Sequence, residues 1–298
     1  MPAVSTPSVI VLGSISIDLT ATTPHLPAPG ETVLGRTLTT GTGGKGHNQA
    51  VAAARAAGGD TAVEFIGTVG TDGYTDTLVG ALERAGVGTT FLRQVEGPCG
   101  TALIWLDDTA ENSIVVVPAA NALFGDLAAA DLDAIAGAGI LVGQLEVPME
   151  LMVAGATHAA AHGVPVLLNP SPVQELPAEL VAALTVLVVN EGEAAALGPA
   201  VLDAVPHLVT TLGGRGARYR GPDGGVVTVP APRVTPVDTT GAGDTFAGAL
   251  AAAWTAGREP ADAVAWACVA GALATTLPGA GDCAPLRAQI DELAARTA

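Results

Sequence analysis

The chain has a single lysine, Lys45, and few other cations: 12 Lys and Arg stand against 29 Asp and Glu, for a formal net charge of −17. So acidic a surface repels nucleic acid and anionic membranes, and neither is expected as a partner. It also repels any phosphate-bearing substrate, which would need local neutralisation by a metal ion, helix N-termini and a few well-placed cations. Aromatic residues make up only 3% of the chain, so the 49% hydrophobic share owes much to alanine. No apolar run reaches the ~20 residues of a membrane-spanning helix, because Gly, Pro or a charge interrupts each one. Cysteine is scarce and odd in number. Cys99, Cys268 and Cys283 show no Cys-x-x-Cys spacing, which implies neither a disulfide framework nor a zinc site. The first residues carry no basic region, and Val9-Ile10-Val11-Leu12 is too short for the core of a signal peptide. A soluble cytoplasmic protein is expected.

The 298 residues suffice for one large α/β domain with a substantial core. Residues 8–15 read as a buried strand, and Asp18 lies just beyond it, where open α/β sheets place ligand groups. Residues 19–42, rich in Thr, Pro and Gly, read as extended structure outside the core. A Gly-rich turn, Gly43-Gly44-Lys45-Gly46, opens a helix over 48–57. A strand over 63–69 and a helix over 74–85 follow, and 101–107 with 113–117 alternate as a hairpin. Helices at 126–136, 148–162 and 176–183 then alternate with strands at 139–145, 164–168, 185–189 and 207–211. That pattern predicts βαβ units and a mostly parallel sheet. A second hairpin is expected over 215–220 and 225–229, and Ala-rich helices from about 242 to 254 and over 261–276. Nothing divides the chain into independent domains. His158 and His162 stand four apart on a helix, but with no third ligand in view they read as a solvated face.

The chemistry gathers at Asp238-Thr239-Thr240-Gly241-Ala242-Gly243-Asp244. The Gly-Ala-Gly turn lies at a helix N-terminus, where free backbone N–H groups favour an anion. Asp244 in the first turn suits a base that takes a proton from an alcohol attacking a phosphoryl group, or else a simple helix cap. Lys45 is followed by Gly, so the other turn is not a P-loop, and no Gly-x-Gly-x-x-Gly marks a dinucleotide site. Together with Gly13-Ser14-Ile15-Ser16-Ile17-Asp18 and Gly43 to Ala50, however, this stretch closely resembles the ribokinase (PfkB-type) family of carbohydrate kinases. Gln144-Leu145-Glu146-Val147-Pro148, Asn190-Glu191-Gly192-Glu193 and Thr211-Leu212-Gly213-Gly214-Arg215-Gly216 follow in family order, so the resemblance covers nearly the whole chain.

The resemblance implies a Rossmann-like three-layer α/β sandwich with a small β-sheet lid, built as one domain with lid segments near 16–42 and 99–119. It implies ATP-dependent phosphorylation of a sugar hydroxyl, ribose first, with another pentose, a ketose or a nucleoside as alternatives. A non-catalytic sugar-binding relative is the reading from another class. Asp244 would be the base, and the N–H groups of Gly241, Ala242 and Gly243 the anion hole. Ser16, Asp18, Gly44, Lys45, Asn48 and Glu146 would line the sugar site. Thr211, Gly213, Arg215, Gly216, Gly243 and Cys268 would meet the nucleotide, with Asn190 and Glu193 in the Mg²⁺ and phosphate region. Asp238, Thr240, Ala274, Leu277, Gly279 and Cys283 match a K⁺ site, and a homodimer through the lid is implied. Bland readings stand beside these: Glu146 as a solvated strand-end charge, Glu193 as a first-turn acid, Arg215 as a surface residue.

Four departures from the family pattern bear on detail. Ser16 stands where Asn is usual in the sugar site, and His47 replaces a small residue. Cys268 replaces His or Asn near the adenine. The segment between Asn190 and Thr211 is short, so its crossover helix is expected to be reduced or absent.

Overall fold

The computed structural model describes residues 8–109 and 111–297. The first apolar run forms β1 (Val9–Leu12), buried along its length. The chain turns at Gly13-Ser14-Ile15 into β2 (Ser16–Thr22) and returns as β3 (Thr37–Gly43). Then come α1 (Lys45–Ala57), β4 (Val63–Val69) and α2 (Thr75–Arg84). Two short strands that the sequence did not reveal, β5 (Val87–Gly88) and β6 (Leu92–Gln94), precede the hairpin of β7 (Gly100–Leu106) and β8 (Asn112–Val117). From there helix and strand alternate: α3 (Ala129–Ala136), β9 (Ile140–Gly143), α4 (Met149–Ala161), β10 (Val166–Leu168), α5 (Ala178–Ala183), β11 (Val186–Asn190), α6 (Glu191–Ala204) and β12 (His207–Thr211). The hairpin of β13 (Ala217–Arg220) and β14 (Val226–Val229) leads to α7 (Ala242–Thr255), α8 (Pro260–Ala274) and a further unanticipated helix, α9 (Arg287–Thr297).

The large sheet has the order β14-β13-β12-β11-β10-β9-β1-β4-β5, with β6 beside β4. Its strands from β5 to β12 run parallel, while β13 is antiparallel to both of its neighbours, β12 and β14. Successive residues of a strand point to opposite faces, and in β1 both faces are apolar. Val9 and Val11 pack in a cluster with Ala50, Leu250 and Ala267, and Ile10 and Leu12 in a second with Leu151, Met152 and Leu180. Helices therefore cover both sides, giving an α/β three-layer sandwich with a mostly parallel central sheet. A separate four-stranded sheet has the order β3-β2-β7-β8, with β2 and β7 parallel and the outer pairs antiparallel.

One expectation is corrected here. The crossover between Asn190 and Thr211 is not missing its helix: α6 is present but broken at Gly198, whose φ is 77°, just before Pro199. The break satisfies the short connection without abandoning the crossover. The first helix also starts earlier than expected, at Lys45 rather than Asn48.

The alanine content has a structural use in the pairing of α1 with α7. Ala50, Ala53, Ala247 and Ala251 are all buried in one cluster, and a Cβ on Gly248 would lie 2.8 Å from the Ala53 nitrogen. Only small residues let two helix backbones approach so closely. That approach sets Asn48 and Gln49 of α1 beside Asp244 of α7.

Candidate active site

Asp244 occupies the first turn of α7, which starts at Gly241 in the left-handed region (φ 72°). Glycine is required there on a second count, because a Cβ would collide with the backbone of Ala280. The carboxylate is buried and gripped from α1: Gln49 Nε2 donates to Oδ1 at 3.0 Å and Asn48 Nδ2 to Oδ2 at 3.2 Å. Burial pushes its pKa up, opposed by the charge of Lys45 and the two amide donors, while Glu146 adds to the rise. A carboxylate held by neutral donors beside a helix N-terminus is oriented for proton abstraction rather than spent on a salt bridge. Of the three amides expected in the anion hole, the Ala242 N–H donates to the Thr239 carbonyl at 3.3 Å. Gly243, at the second helical position, has no intrahelical acceptor.

The neighbouring carboxylates come from strand ends and loops. Glu146 follows β9, and its Oε2 accepts from Ser14 Oγ at 2.5 Å and from the Lys45 N–H at 2.9 Å. It thus caps the N-terminus of α1, whose flanking residue Gly44 supplies no side-chain cap. Asp18, midway along β2, accepts from Ser16 Oγ at 3.1 Å. Burial pushes its pKa up to about 6, against the Ser16 hydrogen bond and with a contribution from Glu146. Hydrogen bonds thus join Ser16 to Asp18 on β2, Lys45 to Glu146 at the start of α1, and Asn48 to Asp244 between α1 and α7, while the charge of Glu146 is felt by both Asp18 and Asp244.

Three residues behind the site escaped the sequence reading. Gln49 is fully buried; besides holding Asp244 it accepts from Gln144 Nε2 at 2.7 Å and reaches Asn169 Oδ1 at 3.3 Å. Asn169 in turn donates to the Val188 carbonyl at 3.0 Å. Gln49 and Gln144 both lie inside quoted motifs, but nothing local distinguishes a buried amide from a surface one.

On the other side of α7 lies a cavity of about 610 Å³ lined by Thr211, Gly213, Gly216, Ala242, Gly243 and Cys268, among others. Its volume suits a small-molecule cofactor. The Cys268 thiol is pushed up to about 12 by burial, so it is an inert wall. Arg233 also lines the cavity, whereas Arg215 does not and pairs instead with Glu191 at 2.5 Å. Asn190 is exposed and Glu193 half-buried, and the two are bound to each other: the Glu193 N–H donates to Asn190 Oδ1 at 2.8 Å, and the Asn190 N–H to Glu193 Oε2 at 2.9 Å. This reciprocal pair caps α6. Among the described residues no three His, Cys, Asp or Glu side chains gather as a metal cluster. The loop before α7 meets the loop after α8 through Asp238, whose Oδ1 accepts from the Thr240 N–H at 2.9 Å and Oδ2 from the Gly279 N–H at 3.0 Å. Cys283 is buried there, its Sγ donating to the Ala280 carbonyl at 3.0 Å.

A buried carboxylate at a helix N-terminus, flanked by a polar cluster and a nucleotide-sized cavity, is the layout of a phosphotransferase. Residues 6–287 match the family described as pfkB family carbohydrate kinase. The chain belongs to the pfkB family of carbohydrate kinases. Within it, the ribokinase of Bacillus subtilis is 37% identical over 294 residues, covering 96% of this chain and 99% of the relative. The deoxyribokinase of Salmonella typhi is 35% identical over 266 residues, covering 82% and 84%. Among solved structures, that of Arabidopsis thaliana ribokinase complexed with ribose and ATP superposes with a TM-score of 0.89 at 28% identity, over 97% of this chain and 99% of that one. No helix among the described residues is long and apolar enough to cross a membrane.

Proposed function

We propose that this pfkB-family kinase transfers the γ-phosphoryl group of ATP to a free pentose, ribose first, at its primary 5-hydroxyl. The observation that carries the reading is Asp244, buried and held by two amide donors between the polar cluster and the large cavity. Asp244 takes the hydroxyl proton as the oxygen attacks phosphorus; the bond to the β–γ bridging oxygen breaks and ADP leaves. The Gly243 N–H and the α7 dipole stabilise charge on the transferring group, with Gly241 and Ala242 shaping the turn. Asp18, Lys45, Asn48 and Glu146 offer more hydrogen-bonding groups than a nucleobase would use, which favours a free sugar. ADP release measured across ribose, deoxyribose, fructose and adenosine tests this. A tenfold preference for a hexose or nucleoside, about 1.4 kcal/mol of transition-state binding, overturns ribose and leaves the kinase standing. Deoxyribose is the second reading, because Ser16 is shorter than Asn and holds Asp18 rather than reaching outward.

Mg²⁺ would supply charge neutralisation to the phosphates, and Asn190 and Glu193 would hold it with the nucleotide. Release of their mutual cap would free both side chains for that role. For K⁺, the Asp238 carboxylate and the carbonyls of Thr240, Ala274, Leu277 and Gly279 are hard oxygen donors of the right kind. The Cys283 thiol is the poor member of that set. The four-stranded sheet is read as a lid on a single ribokinase-like domain. Its strand β8 is exposed throughout, with Ile114 51% and Val116 55% accessible, and supports pairing of two lids in a homodimer. Sedimentation of the native chain against Val116→Lys checks the pairing. Three buried free thiols accord with a reducing, cytoplasmic setting.

A further inference from the structure

α1 has a second face, turned from the sugar cluster. His47, Val51 and Arg55, each four residues from the next, line a cavity of about 340 Å³ with Thr40 and Thr42 of β3 and Arg84 of α2. Two of the chain's 12 basic residues thus meet one small cavity. Arg84 forms no ion pair with any described residue. Arg55 spends one nitrogen on the carbonyls of Asp282 and Ala284, at 2.9 and 2.8 Å. Asp282 also lines the cavity, but its side chain is 89% exposed and its nearest carboxylate oxygen lies 3.8 Å from Arg55. The guanidiniums therefore keep donors to spare, and guanidinium donors select oxyanions.

His47 specifies the occupant further. It is buried, and its Nε2 has no hydrogen-bond partner. Its Nδ1 lies 3.2 Å from Asn48 Oδ1. Asn48 gives its amide N–H to Asp244, so its Oδ1 faces His47 as an acceptor and Nδ1 must carry the proton. Burial holds the ring's pKa down and so keeps it neutral. Nε2 is then left as a bare acceptor on a residue that lines the cavity, and an occupant able to reach it would have to bring an O–H as well as anionic oxygens.

We propose that this cavity is a second ligand site, distinct from the sugar and nucleotide sites, for a small phosphate that carries a hydroxyl hydrogen. A pentose monophosphate and inorganic phosphate share that chemistry; sulfate, without an O–H at neutral pH, lacks it. An occupant there touches β3 and α1 at once, and reaches the catalytic carboxylate through His47 and Asn48.

The kinase reading enters only in the choice of ligands that fill the main site. Titration calorimetry on the intact chain, with ribose and ADP saturating, would measure ribose 5-phosphate, inorganic phosphate and sulfate in turn. One phosphate ligand per chain is expected, weakened about tenfold or more in Arg84→Ala while kcat stays unchanged. His47→Ala should weaken the phosphate ligand and leave sulfate unaffected. The tighter of ribose 5-phosphate and inorganic phosphate identifies the source. Absence of binding by either, or binding indifferent to Arg84→Ala, overturns the site, and sulfate binding as tightly as phosphate overturns the role of His47. A failed kinase reading shows separately, as no heat from ribose and ADP themselves.

Discussion

Replacing Gln49 with leucine removes the donor to Asp244 Oδ1 and the acceptor of Gln144 Nε2, both in a buried setting. The shape is nearly kept, so the helix contact with α7 survives while the polar grip is lost. A hydrogen bond to a charged group contributes about 1.5–3 kcal/mol, and a stranded buried amide costs about 1–3 kcal/mol. If the first term falls on the transition state, kcat drops about 10- to 150-fold. The carboxylate, with one donor fewer to stabilise its ionised form, also titrates at higher pH, so the acid limb of the kcat/KM profile moves upward. Gln144→Leu leaves the Gln49 donor in place and should show the stability loss with a much smaller kinetic one. The assay is ADP release across pH 5–9 for both variants, with Tm recorded alongside. A Gln49→Leu enzyme with full kcat and an unmoved acid limb would falsify the positioning role, whatever happened to its Tm.

Asp244→Asn should lower kcat by about 10²–10⁴-fold or more while Tm and nucleotide binding persist, since an amide accepts no proton; near wild-type turnover would remove Asp244 as the base. Asp18, with a folded pKa raised to about 6, is ionised only above that pH, so KM for the sugar should rise as pH falls through 6, and Asp18→Asn should flatten the profile. The same raised pKa means that protonation favours the folded state: stability from this group is present below its ordinary value and lost as pH rises through 6. Asp18→Asn should therefore raise Tm at pH 7.5 more than at pH 4, and equal shifts at both would refute the burial argument. Cys283→Ser should lower the K⁺ concentration for half-activation, because a hydroxyl is a harder ligand than a thiol; equal activity in Na⁺, K⁺ and cation-free buffer would remove the cation site altogether.

The sequence alone determined the alternation of strand and helix, the mostly parallel sheet, the two Gly-rich turns and Asp244 in the first turn of a helix. Each rests on residues near one another in the chain: period-two apolar runs, alanine stretches free of proline, glycines where the backbone must turn. The strands over 63–69 and 207–211 match the observed β4 and β12 residue for residue for this reason. What the tertiary structure decided is which polar groups meet. Gln49 reaches Asp244 across 195 positions and Gln144 reaches Gln49 across 95, through the close approach of α1 and α7 that Gly248 permits. The same applies in reverse to Arg215, Asn190 and Glu193, which find partners among one another and Glu191 outside the large cavity. A side chain's type is written in the sequence, but its partner is set by helix crossings and strand ends. That is why the candidate base, Asp244, was legible from its turn, while the amides that hold it and the cavity behind His47 emerged only once the helices were packed.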